Sequence, residues 1–222
     1  MAWSGEDRKG VTNKEQILAK VRNAIIEKPE AVFKDIDQHS DTWVPINEED
    51  GTAITFVQHF KDQGGIFIYL ESEQELADCL RQLVPENEWE PLWCTSPDIQ
   101  ELLKKYGIAY TTGTQREPKQ KLVSITGCEC LVAQTGSVVV SEAMTRSRAA
   151  YTIPDVHLVV ARSEQIVPGL KEAFAEIQER YDETTPLQLS IITGISRTTD
   201  IEQMPVYGVN GAKQIAVFLV DE

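Results

Sequence analysis

Between Ile66 and Gly107 the chain alternates short apolar runs with helical patterns, and nothing else in it constrains the fold as strongly. "IFIYL" (66–70) reads as a buried strand. Ser72 and Glu75 form a capping box ahead of Leu76, Leu80 and Leu83, which predicts a helix over residues 73–84. "PLWCT" is a second short strand. Ser96 caps the next helix, Pro97 takes its first position, and Ile99, Leu102, Leu103 and Tyr106 form its stripe before Gly107 stops it. Strand, helix, strand, helix with short connections argues for a parallel α/β arrangement.

The flanks extend this pattern. Ile17, Leu18, Val21, Ala24 and Ile25 fall at helical spacing, and a further helix is predicted near 48–63 with Ala53, Val57 and Phe60 on one face. After a loop-like stretch at 111–120 the texture becomes β-rich: "KLVSIT", "SVVV", "VHLVVA", "LQLSIIT" and "IAVFLV" read as strands. One helix interrupts them from about Pro168 to Tyr181, with Leu170, Phe174, Ile177 and Tyr181 as its face. The reading is an α/β sheet domain over 49–222 with a helical N-terminal extension over 1–48.

Charge narrows the partners. The formal net charge is -14, so the chain's own field repels nucleic acid and anionic membrane surfaces. No apolar run approaches the roughly 20 residues that span a bilayer. The first residues lack the apolar core of a signal peptide, so a cytoplasmic location is expected. Of the four cysteines only Cys128 and Cys130 are close, as C-x-C, and the three histidines are scattered. Zinc and iron–sulfur sites use repeated pairs such as C-x-x-C, so neither a metal nor a cofactor is expected in this chain.

Four clusters carry the candidate chemistry. In "CLVAQTGSVVVSEAM", Gln134, Thr135, Gly136 and Ser137 form either a hairpin turn or a loop whose amides face a ligand. In "RSRAAYTIPDVHLVV", Arg146 and Arg148 are either surface salt-bridge partners or forks for a carboxylate or phosphate. His157, two residues after Asp155, is either a packed strand histidine or a catalyst. In "ITGISRTTDIE", Gly194, Ser196, Arg197, Thr198 and Asp200 follow a strand. They read as a strand–loop–helix turn that holds a small anion or merely caps a helix. In "VYGVNGAKQIAVFLV", Gly208, Asn210 and Gly211 make a tight turn or a ligand-facing backbone.

In this order and spacing the segments "AQTGSVVV" (133–140), "IPDVHLVVA" (153–161), "ITGISRTTDIE" (192–202) and "VYGVNGAKQIAVFLVDE" (206–222) resemble the LUD-domain family. The resemblance covers residues 50–222 and is strongest after 125. It implies a three-layer fold related to the sugar-phosphate isomerase and CoA-transferase superfamily. It also implies a role in oxidising L-lactate to pyruvate beside two separate iron–sulfur proteins. The family pattern falls on Gln134, Thr135 and Gly136; on Pro154 and His157; on Gly194, Ser196, Thr198 and Asp200; and on Val209, Asn210 and Gly211. Gln134 stands where the family usually has glutamate, and Asn210 where it usually has histidine. Both changes remove a titratable group and keep hydrogen-bonding capacity.

Three functions follow. The first is an accessory subunit of a lactate-oxidising iron–sulfur system. The second is an enzyme of the CoA-transferase or isomerase type: Ser196, Arg197 and Thr198 would bind an acyl or phosphorylated anion, with Asp200 or His157 as the catalytic candidate. The third is a metabolite-sensing module. A homo-oligomer is compatible with all three.

Overall fold

The computed structural model describes residues 13–26, 51–89, 91–115, 120–198, 204 and 206–221. The chain divides into two units, Met1–Thr42 and Trp43–Glu222. In the first, α1 (Asn13–Ile26) is an amphipathic helix at the predicted place, with Ile17, Leu18 and Val21 exposed.

The second unit carries, in chain order, α2 (Gly51–Asp62), β1 (Ile66–Leu70), α3 (Glu73–Glu86), β2 (Leu92–Trp93), α4 (Pro97–Lys105), β3 (Tyr110–Thr111), β4 (Val123–Thr126), β5 (Cys130–Val132) and β6 (Ser137–Ser141). There follow α5 (Glu142–Thr145), α6 (Ala149–Thr152), β7 (Val156–Arg162), β8 (Ile166–Val167), α7 (Leu170–Tyr181), β9 (Leu189–Ile192), β10 (Arg197–Thr198), β11 (Val206–Tyr207) and β12 (Gln214–Val220).

Six strands form one parallel sheet in the order β1-β12-β7-β4-β2-β3. β7 and β12 lie in its interior and are apolar on both faces, as strands covered on both sides must be. Alternation splits β12 cleanly. Ala216, Phe218 and Val220 meet Leu76 and Leu80 of α3 and Leu103 of α4 on one face. Ile215, Val217 and Leu219 meet Phe56 and Phe60 of α2 on the other, together with Leu131 and Val138 of the second sheet. Phe56 and Phe60 stack at 5.4 Å, and burying rings of this size is worth about 2–3 kcal/mol each. Helices, parallel sheet, and α2 with a second sheet give the three expected layers. The second sheet, β8-β5-β6-β9, then carries α7 on its outer face through Val132, Val139, Ala173 and Ile177, which adds a further layer.

Several local expectations are corrected. "IFIYL" is a strand, but not a buried one: β1 lies at the sheet edge, with Ile66 and Tyr69 exposed. An apolar run cannot reveal whether its strand has one neighbour or two. In α2 the buried side is Thr55, Phe56 and Phe60, and Ala53 faces solvent. In α7, which starts at Leu170, the buried pair is Ala173 and Ile177, while Phe174 is exposed. Ser72 caps α3 by accepting from the Glu75 amide at 3.3 Å, as predicted. Ser96 occupies the N-cap of α4 without making a side-chain cap bond.

Candidate functional site

The parallel sheet has two ends, and the sequence motifs gather at the amino end. His157 and Ile215 are register partners near the starts of β7 and β12. Beside them lies a cleft of about 520 Å³, lined by residues 190–198 and by Asn210, Gly211 and Ala212, with Tyr151, Thr152, His157 and Ile215 at its base.

Backbone geometry explains how two separate loops close on it. Gly194 has φ +73°, and a Cβ there would fall 2.3 Å from the Gln63 carbonyl oxygen. Only glycine lets the loop after β9 sit directly on the chain leaving α2. Gly136, at φ +61°, makes the same kind of approach: a Cβ would come within 2.4 Å of the Phe60 nitrogen. The Ser196 amide donates to the Ala212 carbonyl at 3.0 Å and the Gly208 amide to the Ser196 carbonyl at 3.0 Å. The Asn210 amide donates to Ser196 Oγ at 3.3 Å. β10 pairs antiparallel with β11, Arg197 opposite Tyr207. Ser196 is thus the rivet between the two loops, and Arg197 stands exposed at the cleft mouth.

The cleft is rich in hydroxyls and poor in acids. Ser137 Oγ lies 2.8 Å from Thr193 Oγ1 and 2.7 Å from Thr135 Oγ1, and Ser190 Oγ donates to Tyr151 Oη at 3.4 Å. His157 Nε2 is 2.8 Å from Thr126 Oγ1, and burial pushes its pKa down to about 3. The ring is therefore neutral at physiological pH, with one nitrogen a donor and the other an acceptor.

The structure brings together His157, Gly194, Ser196, Arg197, Thr198, Asn210 and Gly211. It leaves Gln134, Thr135 and Gly136 in the turn between the antiparallel strands β5 and β6, behind the cleft lining, with Thr135 linked to it through Ser137 and Thr193. Arg146 is the exposed left-handed C-cap of α5 and Arg148 the exposed N-cap of α6; neither makes an ion pair within the described residues. Asp200, and the helix start expected near it, lie outside the described residues. Before it, Arg197 and Thr198 form β10.

The second sheet holds a group the motif reading missed. Glu129 is fully buried. Its carboxylate accepts from Arg180 Nη1 at 2.7 Å, from Tyr181 Oη at 2.8 Å and from Ser141 Oγ. A lone acid inside the apolar run "GCECLVA" was the available signal, since a charge there must be paired. The flanking thiols are inert: burial raises both Cys128 and Cys130, the latter to about 12, so both stay protonated. Among the described residues no group of three or more His, Cys, Asp or Glu side chains could hold a metal ion, and no helix is long and apolar enough to cross a membrane.

The LUD domain model matches residues 55–220, three-quarters of the chain and all of the elements that build this cleft. The chain belongs to the LUD-domain family. Curated relatives include lactate utilization protein C of Deinococcus radiodurans, 33% identical over 97 residues, which are 43% of this chain and 45% of that protein. The chain thus spans under half the length of that relative. Lactate utilization protein C 1 of Bacillus mycoides is 23% identical over 96% of this chain and 98% of its own length. A crystal structure of a DUF162 family protein from Deinococcus radiodurans superposes with a TM-score of 0.58 at 18% identity, over 79% of this chain and 99% of that one. That likeness shows the same α/β fold.

Proposed function

We propose that this LUD-domain protein serves L-lactate utilisation as a ligand-binding subunit, working beside separate iron–sulfur proteins that carry the electrons. The observation that carries the binding role is the convergence of Ser196, Arg197, Thr198 and Asn210 on one cleft from two loops. Hydroxyls, the Asn210 side-chain amide and one guanidinium at its mouth suit a small carboxylate such as lactate or pyruvate. The names of the curated relatives support the lactate reading. A binding role is favoured over catalysis because Gln134 and Asn210 keep hydrogen-bonding capacity but cannot titrate.

The test has two arms. Deletion of the gene in its host should abolish growth on L-lactate, and the wild-type chain should restore it. Purified protein should bind L-lactate saturably at pH 7.5, with affinity lost on Arg197→Ala. At 100 times the dissociation constant the ligand adds about 2.7 kcal/mol of stability, visible as a melting shift. Normal growth of the deletion strain on lactate would overturn the pathway; turnover of lactate by the isolated chain would overturn the subunit role.

A further inference from the structure

A second cavity, of about 790 Å³, opens at the opposite, carboxyl end of the parallel strands. Two neighbouring strands diverge there. β2 continues through α4 to β3 at the outer edge, whereas β4 leads back toward β7 in the sheet's centre. A crevice between strands that leave in opposite directions is where open α/β sheets bind ligands.

Ser96, Asp98 and Ile99, at the first turn of α4, line this cavity. Ser96 is 1% exposed and is the N-cap, yet its hydroxyl makes no cap bond and has no hydrogen-bond partner. Ser72 and Ser141, at the starts of α3 and α5, both use theirs on a helix amide. A buried hydroxyl without a partner is unfavourable, and amides at a helix start attract negative charge. Together they describe a place for an acceptor that comes from outside the chain.

Charge selects the acceptor. Arg180 lines the cavity and commits Nη1 to Glu129, keeping further donors on its guanidinium. Lys105 and Arg162 both engage Glu73, at 2.8 and 2.9 Å. Asp98, Glu101 and Glu164 add negative charge around the same space. A doubly charged group would be repelled by these acids, whereas a single carboxylate can accept from the helix start and from the Arg180 donors that Glu129 does not take. Leu102, Met144 and Val160 offer an apolar wall beside it.

We propose that this cavity is a second ligand site, which holds a monocarboxylate with an apolar body, its carboxylate on the Ser96 hydroxyl and the first-turn amides of α4. The site does not depend on the lactate reading. The experiment is an amide-resolved NMR titration of the full chain with butyrate at constant ionic strength. Saturable shifts at Asp98 and Ile99 are expected. Ser96→Ala should weaken binding about tenfold, the worth of a hydrogen bond to a charged group, while leaving the unliganded melting temperature unchanged or higher. Absence of saturable shifts in that turn would overturn the site. So would equal affinity in Ser96→Ala, and inorganic phosphate binding there more tightly than butyrate would overturn the ligand class.

Discussion

At the amino ends of β7 and β12 the cleft is walled by loop backbone and hydroxyls, and its histidine is kept neutral by burial. At the carboxyl ends of β1, β2, β4 and β7 the cavity is ringed by ion pairs that reach across elements: Glu73 with Lys105 and Arg162, and nearby Glu129 with Arg180. One sheet therefore presents two polar environments of different kinds. Loops that close by backbone contact, as at Ser196 and Ala212, give shape and hydrogen bonds without titratable groups. Side chains projected from helix ends and strand ends give charge. The amino end suits recognition of a small neutral or singly charged ligand, and the carboxyl end adds electrostatic selection.

The sharpest way to break this contrast is at its most charged buried point. Arg180→Ala leaves the Glu129 carboxylate buried without its cation and should destabilise the protein by about 3 kcal/mol. Glu129→Gln should be milder, because Arg180 is partly exposed and can turn to water. Urea denaturation of the two variants checks the order; equal losses would show that the pair is not asymmetric. At the amino end the corresponding weak point is backbone. Gly194→Ala forces a Cβ against the Gln63 carbonyl at a positive φ, and should lose about 1–3 kcal/mol along with ligand binding in the cleft.

The neutral histidine sharpens the comparison through pH. The unfolded chain protonates it near 6.5, but the fold resists protonation down to about pH 3. Its folded value is depressed, so below 6.5 the unfolded state binds the extra proton and stability falls with pH across the window from 6.5 to 3. The slope it contributes is at most about 1.4 kcal/mol per pH unit. His157→Gln should flatten that limb of a denaturation series; an unchanged limb would mean the ring is protonated in the fold. The smallest effect belongs to Lys213 and Asp155, 3.1 Å apart on the surface. Lys213→Ala should change stability by less than about 1 kcal/mol, and salt should erase the difference.

The parallel core was legible because its signals are local and redundant. Ser72 with Glu75, Pro97, and the apolar runs of β7 and β12 each announce an element and its ends. What escaped depends on neighbours. β1 was read as buried because an apolar pentamer looks alike in the middle of a sheet and at its edge. Phe174 was read as core because helical spacing finds a face but not its width. β5, β8, β10 and β11 are two or three residues long and exist only through pairing. At the site, the loops around Ser196 and Asn210 were read as candidates and do meet in space. Gln134 and the two arginines, grouped with them by sequence motif, stand elsewhere because chain order does not report distance. Ser96 reads as a cap, and only the fold shows that its hydroxyl has no partner.

The central claim is that the amino-end cleft is the lactate-binding site and that the carboxyl-end cavity is separate from it. The most direct measurement is an amide-resolved NMR titration with L-lactate. Saturable shifts at Gly194, Ser196 and Gly211, unchanged in Ser96→Ala, are the expected result. Shifts confined to Asp98 and Ile99, or none at either end, would contradict it.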